Sequence, residues 1–212
     1  MERNTWPRER YRWGSKTVVM YIGTHGLSQG LSTILDTAEM FRNREDIQFV
    51  FVGSGADREP LMKQAKAMSL YNVQFLPMQS KEDMPFFYAA ADICLVPLRK
   101  REYFLYNIPS KMFEIMACAR PIVLGVKGQA KRLLREAQAG IAVEPEDARA
   151  YALAIDTLAA EPALCARYGR NGRDHVTRFY SRAAKAAEYI EVLNSVLAQH
   201  QQATAAAPRQ AD

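Results

Sequence analysis

The strongest constraint on this chain is a repeated change of hydrophobic period. Short, mostly β-branched apolar runs recur at Thr17–Gly23, Ile47–Gly53, Val73–Leu76, Ile93–Pro97, Pro121–Leu124 and Gly140–Val143. Between them lie Leu31–Phe41, Glu59–Ser69, Met84–Ala90, Ser110–Ala119 and Ala130–Ala137, whose apolar residues fall at helical spacing. Runs with so little polar alternation predict strands covered on both faces, which is the signature of a parallel sheet. Strand and helix in strict alternation predict an α/β fold: a Rossmann-like, doubly wound parallel sheet of about six strands.

The flanks read differently. After Pro145 the pattern is helical only, with segments at Ala148–Ala160, Pro162–His175 and Ser181–Gln199. Residues 1–16 show no period and read as a linker remnant, 17–199 as the domain with its C-terminal helices, and 200–212 as a flexible tail. Three cysteines, Cys94, Cys118 and Cys165, are too widely spaced for a metal knuckle, so they read as reduced, buried thiols and no metal site is expected. The formal net charge of +5 suits phosphate-bearing ligands or an anionic membrane face. The basic residues are scattered apart from Arg8, Arg10, Arg12 and the run Arg99–Arg101, and no nucleic-acid-binding motif accompanies them. No run approaches the roughly 18 apolar residues of a membrane span, and the first residues lack the apolar stretch of a signal peptide. A soluble, cytoplasmic protein is the expectation.

Two places carry candidate chemistry. The first strand ends in Y-I-G-T-H-G-L-S-Q-G-L, where Gly23, Gly26 and Gly30 let a backbone come close to a ligand. The spacing is not the dinucleotide fingerprint, and the second strand ends in Val52-Gly53-Ser54-Gly55 with no ribose-binding acid at its tip. A nicotinamide cofactor is therefore disfavoured. The second place is Pro109-Ser110-Lys111-Met112-Phe113-Glu114, with Ser110 expected as N-cap and Lys111 and Glu114 one turn apart. An exposed Lys–Glu pair on an amphipathic helix is one reading. The other is a cation receiving a phosphate, with a carboxylate one turn deeper for ribose hydroxyls; its place after a strand end favours this second reading.

From about Thr17 to Leu197 the chain resembles the carboxy-terminal domain of the family 4 retaining GT-B glycosyltransferases, nearest the bacterial O-antigen and capsule branch with its fucosaminyl- and fucosyltransferases. The segments that carry the likeness are Y-I-G-T-H-G-L-S-Q-G-L, F-V-G-S-G-A-D-R-E, N-V-Q-F-L-P, A-A-A-D-I-C-L-V-P-L and I-P-S-K-M-F-E-I-M-A-C-A-R-P-I-V. The resemblance implies the carboxy-terminal half of a GT-B fold. It implies that Gly23, Gly26, Ser110 and Lys111 face the diphosphate and that Glu114 accepts from the ribose. It assigns Gly53, Gly55 and Phe75 to the nucleobase side.

The donor implied is a nucleotide diphosphate sugar, UDP rather than GDP, with no further cofactor or metal. The partner implied is an amino-terminal domain that brings the acceptor and a catalytic histidine. No catalytic residue is assigned to this chain, so alone it is expected to be inactive. A lipid-linked acceptor would place it peripherally at the inner membrane face. The sequence departs from the family at three points: Tyr106 stands for the first glutamate of the Glu-x7-Glu motif, Thr24 for an arginine and Gln29 for a lysine. Lys111 is then the main cation, with Arg99, Lys100 or His25 as candidate helpers. The alternative function is a non-catalytic nucleotide- or protein-binding module derived from such an enzyme.

Overall fold

Strand β1 (Thr17–Ile22) organises the molecule, because its side chains are buried on both faces. Val18, Met20 and Ile22 point into one apolar layer and Val19 and Tyr21 into the other, as the period of two requires. The structure, a computed structural model, describes residues 5–206, the side chains of 201–206 excepted. In chain order the elements are α1 (Trp6–Arg10), β1, α2 (Ser32–Met40), β2 (Ile47–Val52), α3 (Arg58–Ala67), β3 (Val73–Leu76), α4 (Met84–Ala90), β4 (Ile93–Pro97), α5 (Lys111–Ala117), β5 (Ile122–Gly125), α6 (Gln129–Ala137), β6 (Gly140–Ala142), α7 (Ala148–Ala160), α8 (Pro162–Tyr180) and α9 (Arg182–Ala206). The sheet order is β3-β2-β1-β4-β5-β6, and every pair is parallel. This is the doubly wound arrangement expected, with six strands and helices over both faces.

The two layers divide the helices. Phe87, Met112, Ile115, Met116, Leu133 and Val176 bring α4, α5, α6 and α8 to one face. Leu31, Ile34, Leu61, Tyr151 and Ile155 bring α2, α3 and α7 to the other. Helix α8 runs to Tyr180 rather than His175, because Val176 is buried and the Tyr180 ring packs 4.9 Å from Phe113. Of the cysteines, all free, Cys94 is buried while Cys118 and Cys165 are only partly so.

The amino-terminal segment differs from its sequence reading. Residues 5–16, expected as part of a linker, form α1 and a turn packed on α4. Trp6 meets Phe87 edge to face at 5.4 Å, and buried Trp13 donates its indole N–H to the Gln74 side chain at 2.7 Å. Arg8 is buried, donating to the carbonyls of Ala90 (2.9 Å), Gly14 (2.8 Å) and Lys16 (3.1 Å) and pairing with Asp92. A five-residue helix is too short to show a 3.6 period, and tertiary contacts rather than local propensity hold it. At the other end, the expected tail from residue 200 continues α9 to Ala206, and its remainder lies outside the described residues.

Candidate functional site

Strand β1 pairs with β2 along its whole length, but with β4 only at Val19↔Ile93 and Met20↔Cys94. The carboxyl ends of β1 and β4 therefore part, and the chain winds away in opposite directions on either side. Open α/β sheets bind ligands at such a switch point. Three segments converge on it: the loop 23–30 after β1, the turn 53–55 after β2, and the loop 98–110 that leads from β4 into α5.

The first two segments cross backbone to backbone. Gly23 N–H donates to Val52 (2.9 Å), His25 N–H to Ser54 (2.7 Å), and Asp57 N–H to His25 (2.9 Å). A Cβ on Gly53 (φ +143°) would stand 2.0 Å from the Gly23 carbonyl oxygen, and one on Gly55 (φ +150°) 2.3 Å from that of His25. Glycine is required at both for sterics as well as conformation. Gly53→Ala is accordingly expected to cost about 1–3 kcal/mol in urea unfolding while displacing the 23–26 loop. Gly26 is in extended backbone, and there a Cβ would meet only side-chain ends, the Gln29 Oε1 at 2.9 Å and the Thr24 methyl at 3.7 Å. The third segment is laced on by Arg99, which donates its backbone N–H to Ser28 (2.9 Å) and its Nε to Leu27 (2.7 Å).

Lys111 reaches into the opening from α5. Its Nζ lies 4.0 Å from the Tyr21 ring centroid and 2.7 Å from where a Cβ of Gly23 would be. Gly23 (φ +137°) thus leaves room for an ammonium. Burial holds Lys111 down at about 8 from its ordinary 10.5, with the Glu114 carboxylate pulling the other way. A cation kept partly dry and without a strong counter-charge is suited to an anionic ligand. Glu114, one turn on, is exposed and accepts the Tyr88 hydroxyl at 2.8 Å. Ser110 occupies the N-cap position but its hydroxyl makes no capping bond. The next amides are already used: Met112 N–H donates to Pro109 and Phe113 N–H to Ser110, both at 3.0 Å. What reaches into the opening from the start of α5 is the Lys111 ammonium.

Not every expected helper is in place. His25 is fully buried, and burial, then Arg58 and Lys111, lowers it to about 4, so it is neutral and no phosphate cation. Lys100 lines the cavity beyond Arg99 but is engaged with carboxylates, its Nζ 3.0 Å from Glu144 and its N–H bonded to Glu146 (2.8 Å). Phe75, half-buried, stacks on Phe51 at 4.9 Å beside the 53–55 turn. Tyr88 escaped the sequence reading: it lies 26 residues before Glu114, and only the packing of α4 under α5 joins them. Beyond Arg99 a cavity of about 410 Å³ opens, with Phe104, Leu105, Val126 and Pro145 among its walls. Among the described residues no group of three or more His, Cys, Asp or Glu side chains is arranged to hold a metal ion, and no helix is long and apolar enough to cross a membrane.

Known proteins share this architecture. The putative colanic acid biosynthesis glycosyl transferase WcaI of Escherichia coli (strain K12) is 32% identical over 144 residues, 66% of this chain and 35% of that protein. The Anabaena Alr3699/HepE crystal structure in complex with UDP superposes with a TM-score of 0.79 at 19% identity, covering 89% of this chain and 51% of that one. The crystallised C-terminal domain of a glycosyl transferase group 1 protein, LpcC of Francisella tularensis, covers 84% of this chain and 94% of its own, with a TM-score of 0.70 at 19% identity. The chain thus spans between a third and a half of its full-length relatives. The model of the family described as glycosyl transferases group 1 matches residues 3–175. The chain belongs to the glycosyl transferases group 1 family, and its fold is that of a GT-B carboxy-terminal domain.

Proposed function

We propose that this chain is the donor-binding domain of a retaining, family 4 glycosyltransferase of bacterial surface polysaccharide synthesis, in the fucosaminyltransferase-like branch. The observation that carries the reading is the half-buried Lys111 ammonium held against Gly23 at the switch point. Lys111 faces the diphosphate across Gly23 and Gly26, beside Ser110. Glu114, oriented by Tyr88, accepts from the ribose hydroxyls. Gly53, Gly55 and Phe75 border the nucleobase. We assign the transferred sugar to the cavity beyond Arg99.

The reaction breaks the bond between the anomeric carbon and the diphosphate oxygen and forms one to an acceptor hydroxyl, whose proton is released. Negative charge grows on the leaving diphosphate, where a poorly solvated ammonium is most effective. The acceptor and the remaining catalytic groups belong to an amino-terminal domain, and two facts support this. The chain's matches cover only 35% of WcaI and 51% of Alr3699/HepE, and α9 leaves Ile190, Leu193 and Leu197 each 45–58% exposed on a helix that needs a cover. A lipid-linked acceptor sets the complete protein at the inner face of the cytoplasmic membrane. A non-catalytic nucleotide-binding module is the second reading, favoured by Tyr106, 82% exposed where the motif has its first glutamate.

Calorimetry tests the donor assignment. The chain is expected to bind UDP more tightly than GDP, with a Kd of about 0.1–1 mM, and to transfer no sugar alone. Binding of neither nucleotide would contradict the assignment, and tighter binding of GDP would contradict the choice of base.

A further inference from the structure

His25 is buried to 0% exposure, yet neither of its ring nitrogens makes a hydrogen bond of good geometry; the Val52 carbonyl is near enough to favour a proton on the ring, while Arg58 and Lys111 oppose one. Its backbone is the opposite case, with the N–H bonded to Ser54 (2.7 Å) and the carbonyl accepting from Asp57 (2.9 Å). The ring sits among three aromatic neighbours, Tyr21 at 5.8 Å, Phe51 at 6.3 Å and Phe75 at 6.2 Å between centroids. An apolar side chain suits such a site, whereas a neutral imidazole carries one donor and one acceptor that go unused. Leaving them unused opposes folding. The cost falls at a particular place. His25 is two residues from Gly23, and the Tyr21 ring it packs against is the ring under the Lys111 ammonium.

Resting on the donor-site reading above, we propose that His25 is a positioning residue for the nucleoside diphosphate. In the ligand-bound arrangement of the 23–30 loop the imidazole gains the well-formed hydrogen bond that it lacks without ligand. Binding and loop ordering are thereby coupled through one side chain. Gly23, Gly26 and Gly30 give that loop its freedom to rearrange, while the backbone bonds at His25 keep the ring beneath it.

The test uses the full chain, its His25→Leu and His25→Asn variants, and UDP and GDP as probes. Leucine removes the unsatisfied group, so the melting temperature is expected to rise by about 2–4 °C, while the Kd for UDP rises about tenfold. Asparagine keeps a donor and an acceptor and is expected to recover part of the affinity. In the wild-type chain the imidazole nitrogen resonances of His25, identified by their loss in His25→Asn, are expected to shift on UDP addition. Unchanged affinity in His25→Leu, with resonances that do not move, would make His25 an ordinary core residue and overturn the proposal. A wild-type chain that binds neither nucleotide overturns the donor-site reading and this proposal together, an outcome distinct from the first.

Discussion

Replacing Lys111 by alanine is expected to weaken UDP binding about 30- to 150-fold, because the charge-assisted bonds of one well-placed ammonium to a diphosphate are worth about 2–3 kcal/mol. Thr24 and Gln29 stand where relatives of the resembled family carry further cations, so little else compensates. Burial disfavours the ammonium in the free protein, so deleting it is expected to leave the fold intact, which thermal unfolding of the variant checks. Lys111→Arg is expected to bind poorly as well, since the gap at Gly23 fits an ammonium and not a planar guanidinium. The same group sets a pH dependence with a definite sign. An anion raises the lysine pKa, so above pH 8 binding must take up a proton and affinity falls as pH rises. Below about pH 7 the ammonium is already present and this group contributes no slope. Calorimetry from pH 7 to 9.5 is expected to show the decline in the wild-type chain.

The largest loss of stability is expected at Arg8, far from the nucleotide. Its guanidinium satisfies three backbone carbonyls and pairs with Asp92, whose carboxylate also accepts Val18 N–H at 2.8 Å. The side chains of the pair are 3% and 18% exposed. Arg8→Ala strips the partly buried Asp92 carboxylate of the Arg8 guanidinium and is expected to cost about 3–5 kcal/mol in urea unfolding. Removing both charges costs less than removing one, so Arg8→Met with Asp92→Asn is expected to recover part of the loss. Through Val18 the pair touches β1, and thus the segment before β1 is stitched to the strand from which the ligand loop emerges.

The strands were legible because a parallel sheet buried on both faces writes unbroken apolar runs, and β3, α4, β4 and α7 begin and end where their periods indicate. Strand order is a different matter. That β1 lies between β2 and β4 is a long-range pairing, and with it comes the switch point that gives Lys111 and Gly23 a common address. Motif and resemblance marked Gly23, Lys111 and Glu114 separately; packing joins the first two and adds Tyr88 to the third. Helix α1 stayed invisible because five residues hold barely more than one turn, and Arg8 looked like one of several surface cations. His25 looked like a loop histidine. Its burial follows from the crossing of the 23–26 and 53–55 loops, which depends on glycines in two separate turns.

The most direct test of a donor site at the β1–β4 switch point is an amide NMR titration of the chain with UDP. The account predicts saturable shifts at Gly23, His25 and Gly26 and at Lys111–Glu114, abolished in Lys111→Ala. Saturable shifts confined to other surfaces, with both of these segments unmoved, would contradict it.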